Sequence, residues 1–362
     1  MLEYIIKSMK GAGRKMLKRI ASFILSILFV LGCAVGCSGI YREPQSATYY
    51  GLFDSYVTIS SYSSDSEEEF LSNCEAIHEM LRKYNKLFDI YREYNGINNL
   101  CTVNREAGKS PVEVDGDLLD FIDFSIQLSI KTDLEVNIAM GSVLKLWHDA
   151  RESANEDSKP YLPEKSALES AFAHTDIESI VIDRENSTIF ITDPETQIDV
   201  GAIAKGYAAQ KAADLLRSRN ADGYILDLGG NIVAVGTREK GKGWTTGIRN
   251  PDKNSSESFI AKIEISNVSC VTSGDYERYF SFNGKDYHHI IDKDTLEPAA
   301  YFRSVTVLCS DSATADALST ALFCMSIEDG KKLISRFNNV EVVWVLYDGS
   351  IQKTDGVKIL AQ

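Results

Sequence analysis

The apolar positions along this chain change their period several times, and each change predicts a different element. In "DSEEEFLSNCEAIHEMLRKYNKLFDIY", Phe70, Cys74, Ile77, Leu81 and Phe88 recur at helical steps, which gathers them on one face. Three glutamates open that run, as suits the positive end of a helix dipole. "DGDLLDFIDFSIQLSIK", "MGSVLKLWHDA" and "GAIAKGYAAQKAADLLRSRN" predict further helices, the last beginning just after Gly201. "YVTISSY" alternates instead and predicts a strand, and "IESIVIDRENSTIFIT" predicts a hairpin. Between these, the polar, proline-containing residues 151–166 predict a surface loop.

The C-terminal half is strand-rich. "GYILDLGGNIVAVG", "SFIAKIEIS", "SCVTSG", "ERYFSFNGKDYHHIID", "SVTVLC" and "VEVVWVLYDGSIQK" follow in turn, with Asn283–Gly284 as a hairpin signal. Hairpins outnumber crossovers, so the pattern predicts an α+β fold rather than a doubly wound sheet. No repeat or strong linker divides it, and residues 49–362 are expected to form a single domain with mixed, largely antiparallel sheets and packed helices.

One helix departs from the rest. "TADALSTAL", residues 314–322, is nearly all small or apolar, and Leu318, Ala321, Leu322 and Met325 form its core face. Asp316 and Thr320 stand four apart on another stripe. A carboxylate and a hydroxyl suit Mg²⁺, which prefers hard oxygens and keeps positions for water and phosphate. The same residues also suit a plainer role, with Asp316 bonding a neighbouring turn and Thr320 bonding back to a carbonyl.

The N-terminus has a different pattern. Lys15, Lys18 and Arg19 precede the apolar run "IASFILSILFVLGCAVG", residues 20–36. A basic segment before an apolar one of that length reads as a secretory leader over residues 1–36, followed by a flexible tether over 37–48. The run ends in "LGCAVGCSG", similar to a bacterial lipobox, with Cys37 or Cys33 as the lipidated residue. Lipid anchoring at the extracytoplasmic face of the cell membrane is the expectation. The five other cysteines form no metal-type spacing and read as buried thiols. The 362-residue chain has a formal net charge of −14, which argues against nucleic acid as a partner and demands local compensation for any anionic substrate.

Three further stretches carry chemistry. In "IDVGAIAKGYAAQKA", Asp199 and Gly201 lead into a helix with Lys205 in its first turn; free N–H groups, a dipole end and a cation suit a phosphate. In "ILDLGGNIVAVG", two glycines inside an apolar strand fit either a β-bulge or close approach of a ligand. "VTSGDYERYFSFNGKDYHHIIDKDTLEP" crowds Ser273, Asp275, Tyr276, Glu277, Arg278, two histidines and Asp292 around one hairpin. Adjacent residues of a strand face opposite ways, so only one of His288 and His289 lines any one site. Tyr91, Trp147 and Tyr276 could stack on a planar ring.

Taken together, "FDSYVTI", "FDIYREYNGINNLCTVN", "MGSVLKLW", "IDVGAIAKGYAAQKAADLL", "YILDLGGNIVAVG", "GIRNP", "VTSGDYERYF", "YHHIIDKDT" and "DSATADALSTAL" stand in one order. In that order the chain resembles the ApbE family of bacterial flavin transferases, over nearly all of residues 49–362. The resemblance implies a T-fold-like domain. It implies Mg²⁺-dependent cleavage of FAD, with FMN passing to a Thr or Ser hydroxyl of a target flavoprotein and AMP leaving. The alternatives are an FAD pyrophosphatase that yields FMN and AMP, or a non-catalytic FAD-binding lipoprotein. The implied metal ligands are the Ala202 carbonyl, Asp316 and Thr320. The implied flavin-site positions are Phe53, Tyr91, Trp147, Asp199, Lys205, His289 and Ile290. His289 is the candidate general base, since a near-neutral pKa suits deprotonating a hydroxyl, with Asp292 in reserve. The implied acceptor is a subunit of a membrane redox complex or an extracellular flavin domain. Phe53 stands where a methionine is common in the family, and "WHDA" replaces a Gly–Phe continuation after Trp147.

Overall fold

A computed structural model describes residues 44–63, 65–155, 160–238 and 241–361. The expected leader, most of the expected tether, Cys33 and Cys37 lie outside the described residues. The part of the tether that is described is not a tether: the first strand, β1 (Gln45–Leu52), begins inside it and pairs with β2 (Ser55–Ser61).

Helix α1 (Glu67–Leu87) starts at a capping box, with Ser66 Oγ accepting from Glu69 N–H while the Glu69 carboxylate accepts from Ser66 N–H. Its predicted apolar stripe is buried. There follow the short helix α2 (Leu100–Arg105), β3 (Val112–Glu113), α3 (Gly116–Lys131) and α4 (Gly141–Asn155). Next come α5 (Lys165–Phe172), the hairpin β4 (Ile180–Asp183) and β5 (Thr188–Ile191), and α6 (Ala204–Ser218). The C-terminal half contains β6 (Tyr224–Leu228), β7 (Asn231–Val235), β8 (Trp244–Arg249), β9 (Phe259–Ile265), β10 (Ser269–Gly274), β11 (Tyr279–Phe282) and β12 (Lys285–His288). It ends with β13 (Ser304–Cys309), α7 (Ser312–Phe323), α8 (Ile327–Ile334), β14 (Glu341–Val345), β15 (Ile351–Lys353) and β16 (Ile359–Ala361).

The main sheet has eight strands in the order β1-β2-β6-β7-β10-β13-β14-β15, every pair antiparallel. Its two faces bury against different layers. Val342 and Trp344 join the core shared with α1, α6 and α7, whereas Val343 and Val345 join Trp244, Ile248 and Ile263 of a second sheet, β16-β9-β8. That split within one strand is the two-residue period of a sheet buried on both sides. The α+β reading therefore holds, with helices on one face and a small antiparallel sheet on the other.

Two local expectations differ. "YILDLGGNIVAVG" is two strands rather than one. Leu228 pairs with Asn231, and Gly229 and Gly230 form the turn at φ of 59° and 94°, where a side chain would be strained. Helix α4 runs to Asn155, into the stretch expected to be loop, so the loop signal at Pro160 and Pro163 bounds only its later part.

Candidate active site

A cavity of about 950 Å³ opens where the face of β2, β6, β7 and β10 meets α4, the start of α6, and the β8–β9 sheet. Its geometry begins with the segment before α6. Asn104, on α2, clasps that segment in both directions: Oδ1 accepts from Ile198 N–H at 2.7 Å and Nδ2 donates to the Ile198 carbonyl at 2.9 Å. Asp199 N–H donates to the Ile138 carbonyl at 2.8 Å, and Gly141 N–H to the Gln197 carbonyl at 2.9 Å. A Cβ on Gly141 would lie 2.4 Å from that carbonyl oxygen, so only glycine lets α4 start so close. Asp199 Oδ1 then accepts from Gly201 N–H at 2.8 Å, turning the chain into α6. Asp199, Ala202 and Lys205 all reach the cavity wall.

Helix α7 packs along α6, with Ser312 N–H donating to Gln210 Oε1 at 2.9 Å and a second bond nearer the cavity. Gly206 N–H, in the first turn of α6, donates to Asp316 Oδ2 at 2.7 Å. Asp316 is 5% exposed, and burial raises its pKa; the Lys205 charge, the Gly206 N–H and the Asn231 side chain pull it back. Asp316 thus bonds a neighbouring turn, the plainer of the roles considered, and its side chain also lines the cavity. The hydroxyl that bonds back along α7 is Ser319, to the Asp316 carbonyl at 2.9 Å. Thr320 lines the cavity instead, 3.4 Å from Ser273 Oγ.

His288 is buried and His289 exposed, yet both border the cavity, so the expectation that only one of them lines a given site does not hold. His288 Nε2 donates to the Ala299 carbonyl at 2.8 Å. His289 borders the cavity, with Nδ1 at 3.2 Å from the Arg278 carbonyl, which makes Nδ1 the protonated nitrogen and leaves Nε2 as an acceptor. Its pKa is not near neutral. Its side chain is exposed within the cavity, but the cavity walls desolvate it, and this first, then Arg278, His288, Arg151 and Lys205, lowers its pKa to about 3. The folded chain then takes up this proton only near pH 3, whereas the unfolded chain does so near 6.5, so stability from this group is kept above 6.5 and lost as pH falls toward 3. A histidine NMR titration of the ligand-free protein should show His289 neutral from pH 5 to 8; a midpoint near 6.5 contradicts the assignment.

Two of the expected site residues lie elsewhere. Asp292 is buried, and its Oδ1 accepts from the N–H groups of Asp294 (2.8 Å) and Thr295 (3.2 Å); it holds a turn and does not line the cavity. Phe53 packs against the core with its N–H on Asn85 Oδ1 at 2.7 Å, while Asp54, Ser55 and Tyr56 border the cavity in its place. Trp147 lines the cavity but is 6% exposed, and its indole N–H is spent on the Leu296 carbonyl at 2.9 Å. Ile290 is buried at the wall. Tyr91 is 57% exposed and stacks on His148, with ring centroids 4.7 Å apart.

His148 belongs to a group the sequence reading did not single out. Leu144, Trp147, His148 and Arg151 all line the cavity, one stripe of α4 at helical spacing, and of these only Trp147 was named from the sequence. Arg151 donates to His148 Nδ1 at 2.9 Å, and burial followed by that charge lowers the His148 pKa. Continuing the helical period past Trp147 would have found both. Asp227 was also missed. It lines the cavity, accepts from Gly230 N–H at 2.8 Å, and has its pKa raised by burial. The signal was present in the double glycine that follows it. Lys205, Arg151 and Arg278 supply local positive charge in a chain of net −14.

Among the described residues no three His, Cys, Asp or Glu side chains form a metal cluster. The oxygen donors on the cavity wall include the buried Asp316 carboxylate and the Thr320 and Ser273 hydroxyls, 3.4 Å apart, with Ala202 also lining the cavity. A carboxylate buried against a single half-exposed lysine is under-compensated, which fits a hard divalent ion that takes its remaining ligands from water and phosphate.

Sequence comparison matches residues 53–344 to the ApbE family. A FAD:protein FMN transferase from Treponema pallidum is 28% identical over 348 residues, which covers 92% of this chain and 93% of that protein. One from Vibrio cholerae is 30% identical over 285 residues, 78% of this chain and 80% of that protein. The crystal structure of the ApbE protein from Thermotoga maritima superposes with a TM-score of 0.74 at 28% identity, covering 86% of this chain and 97% of that one.

Proposed function

The chain belongs to the ApbE family, and on that premise we propose that it transfers the FMN moiety of FAD to a Thr or Ser hydroxyl of a target flavoprotein, with release of AMP and dependence on Mg²⁺. The observation that carries the reading is the convergence of Lys205, Asp316, Thr320 and the Ala202 segment with the aromatic rim of Tyr91 on one cavity of dinucleotide size.

The residues divide the work as follows. Lys205 and the first turn of α6 hold the diphosphate by charge and by backbone donors. Arg278 and Arg151 add positive charge along the same wall. Asp199, half-buried at the cavity wall and with its pKa raised by desolvation, accepts from a ribose or base donor. Tyr91, backed by His148, offers a ring face to a planar group. Asp316, Thr320 and the Ala202 carbonyl would hold Mg²⁺, which supplies charge neutralisation to the diphosphate when bound. The acceptor hydroxyl oxygen attacks the FMN phosphorus, the phosphoanhydride bond to AMP breaks, and His289 Nε2 takes the hydroxyl proton. Desolvation is the first cause of its lowered pKa and the charges of Arg278, Arg151 and Lys205 follow; a bound diphosphate would counter those charges. The acceptor would be a subunit of a membrane redox complex or an extracellular flavin domain, with this chain tethered through Cys37 or Cys33 at the outer face of the membrane.

The test incubates the soluble chain with FAD, Mg²⁺ and a candidate acceptor domain, reading AMP and in-gel flavin fluorescence. AMP with a fluorescent acceptor supports transfer. AMP without labelled protein identifies a hydrolase, and no AMP with any divalent ion removes both enzyme readings.

A further inference from the structure

Among the described residues strand β8 pairs with β9 alone, so its other edge carries backbone groups that no described strand pairs. That edge borders the cavity. Thr245, Thr246 and Gly247 all line it, although consecutive strand side chains point to opposite faces, and Gly247 has no side chain to offer. A cavity that touches three successive residues touches the strand's backbone.

The pairing pattern says which groups are free. Asn250 N–H donates to the Ser258 carbonyl at 3.0 Å, just beyond the Arg249–Phe259 pair. Antiparallel pairs alternate between hydrogen-bonded and open. Counting back through the bulge at Ile248, the residues bonded to β9 are 248, 246 and 244, which turns the N–H and C=O of Thr245, Gly247 and Arg249 to the free edge. Thr245 and Arg249 are exposed. A Cβ on Gly247 would lie 2.2 Å from the Phe259 ring, so the middle of this edge is kept bare beside an aromatic side chain that is 46% exposed and also lines the cavity. Arg249 pairs with Glu277 at 2.8 Å and closes one end.

We propose that the acceptor polypeptide docks as an added strand on the free edge of β8, pairing with Thr245, Gly247 and Arg249. The proposal rests on the transfer reading, which requires a protein hydroxyl to enter this same cavity. An added strand supplies the affinity through its main chain, and alternate side chains of that strand face the cavity, so one Thr or Ser is delivered while its neighbours point away. Main-chain pairing also suits an enzyme whose own side chains at this edge are few.

The test uses the whole chain, FAD, Mg²⁺ and a library of 12-residue peptides with one central Thr or Ser. Thr245→Pro removes an edge N–H and leaves the β9 pairing in place, as proline does on edge strands. Thr245→Val keeps the N–H and deletes the hydroxyl. Transfer to labelled peptides is expected to fall at least 10-fold in Thr245→Pro and to stay within 2-fold in Thr245→Val, with FAD binding unchanged in both. Backbone N-methylation of the best peptide should alternate, with loss at every second residue. Equal labelling by wild type and Thr245→Pro, or N-methyl sensitivity without alternation, overturns the docking mode while transfer stands. Labelling of a folded acceptor domain but of no peptide also overturns it. If neither domain nor peptide is labelled, the transfer reading itself has failed. A concentration-dependent dimer lost in Thr245→Pro without loss of transfer assigns the edge to self-association and overturns the proposal.

Discussion

Replacing Asp316 with Asn is expected to lower transfer by roughly a thousand-fold, the several kcal/mol that a Lewis acid supplies to a phosphoryl centre. The substitution changes charge and little else. Asn Oδ1 can still accept the Gly206 N–H that Asp316 accepts now at 2.7 Å, so the contact between α6 and α7 survives. What disappears is a carboxylate that burial already penalises and that the half-exposed Lys205 offsets only in part. The metal-free variant should therefore melt no lower than the metal-free wild type. Adding Mg²⁺ separates the two. Wild type should gain about 1–3 kcal/mol at saturating ion, a rise of several degrees in Tm, because an ion that binds only the folded state stabilises it by mass action. Asp316→Asn should gain almost none. Calorimetry with and without Mg²⁺ reads this without any turnover, and a variant that keeps the full Mg²⁺-dependent rise would move the ion away from Asp316.

The sequence made the layers legible where burial followed a single period. The stripe from Phe70 to Phe88 is buried as expected, and so is the apolar face of α7. It was less informative where one residue type serves two structures. The glycine pair at 229–230 reads equally as a bulge, a ligand approach or a turn, and only the pairing of Leu228 with Asn231 decides. Asp292 was the reserve base in a hairpin crowded with polar residues, yet the backbone of the following turn uses its carboxylate. Phe53 was placed by resemblance, and a positive φ of 53° turns that residue toward the core beside Asn85. His289 was placed at the cavity, but its pKa is lowered first by desolvation in a cavity built from several elements and then by charges including Arg151 and Lys205 from two other helices, and no local pattern encodes that. The free edge of β8 is also invisible in sequence, since an edge is defined by the strand that is missing beside it.

Gly206→Ala is expected to destabilise the chain, against the usual preference for alanine in a helix. Propensity alone favours alanine by about 1 kcal/mol. Packing opposes it more strongly. A Cβ at residue 206 would lie 2.4 Å from the Ser312 carbonyl oxygen, 2.5 Å from Asp316 Cβ and 3.0 Å from Ala313 Cα. None of these is the tip of a flexible side chain, so α6 and α7 must separate by about 1 Å, an overpacking cost of roughly 1–3 kcal/mol and toward the upper end here. The net loss is about 1–2 kcal/mol, a fall in Tm of about 1–3 °C for a domain of this size. Separation also lengthens the Gly206–Asp316 hydrogen bond and moves the carboxylate from its place at the cavity wall, so the Mg²⁺-dependent rise in Tm should shrink in the same variant. Gly116→Ala is the matched control. Gly116 opens α3 with nothing within 4 Å of an added Cβ, and the change should leave Tm equal or slightly higher. Thermal melts of both variants decide it. A Gly206→Ala protein that melts at or above wild type would mean that the two helices are not held at contact by this glycine, and that the small residues of α7 have some other purpose.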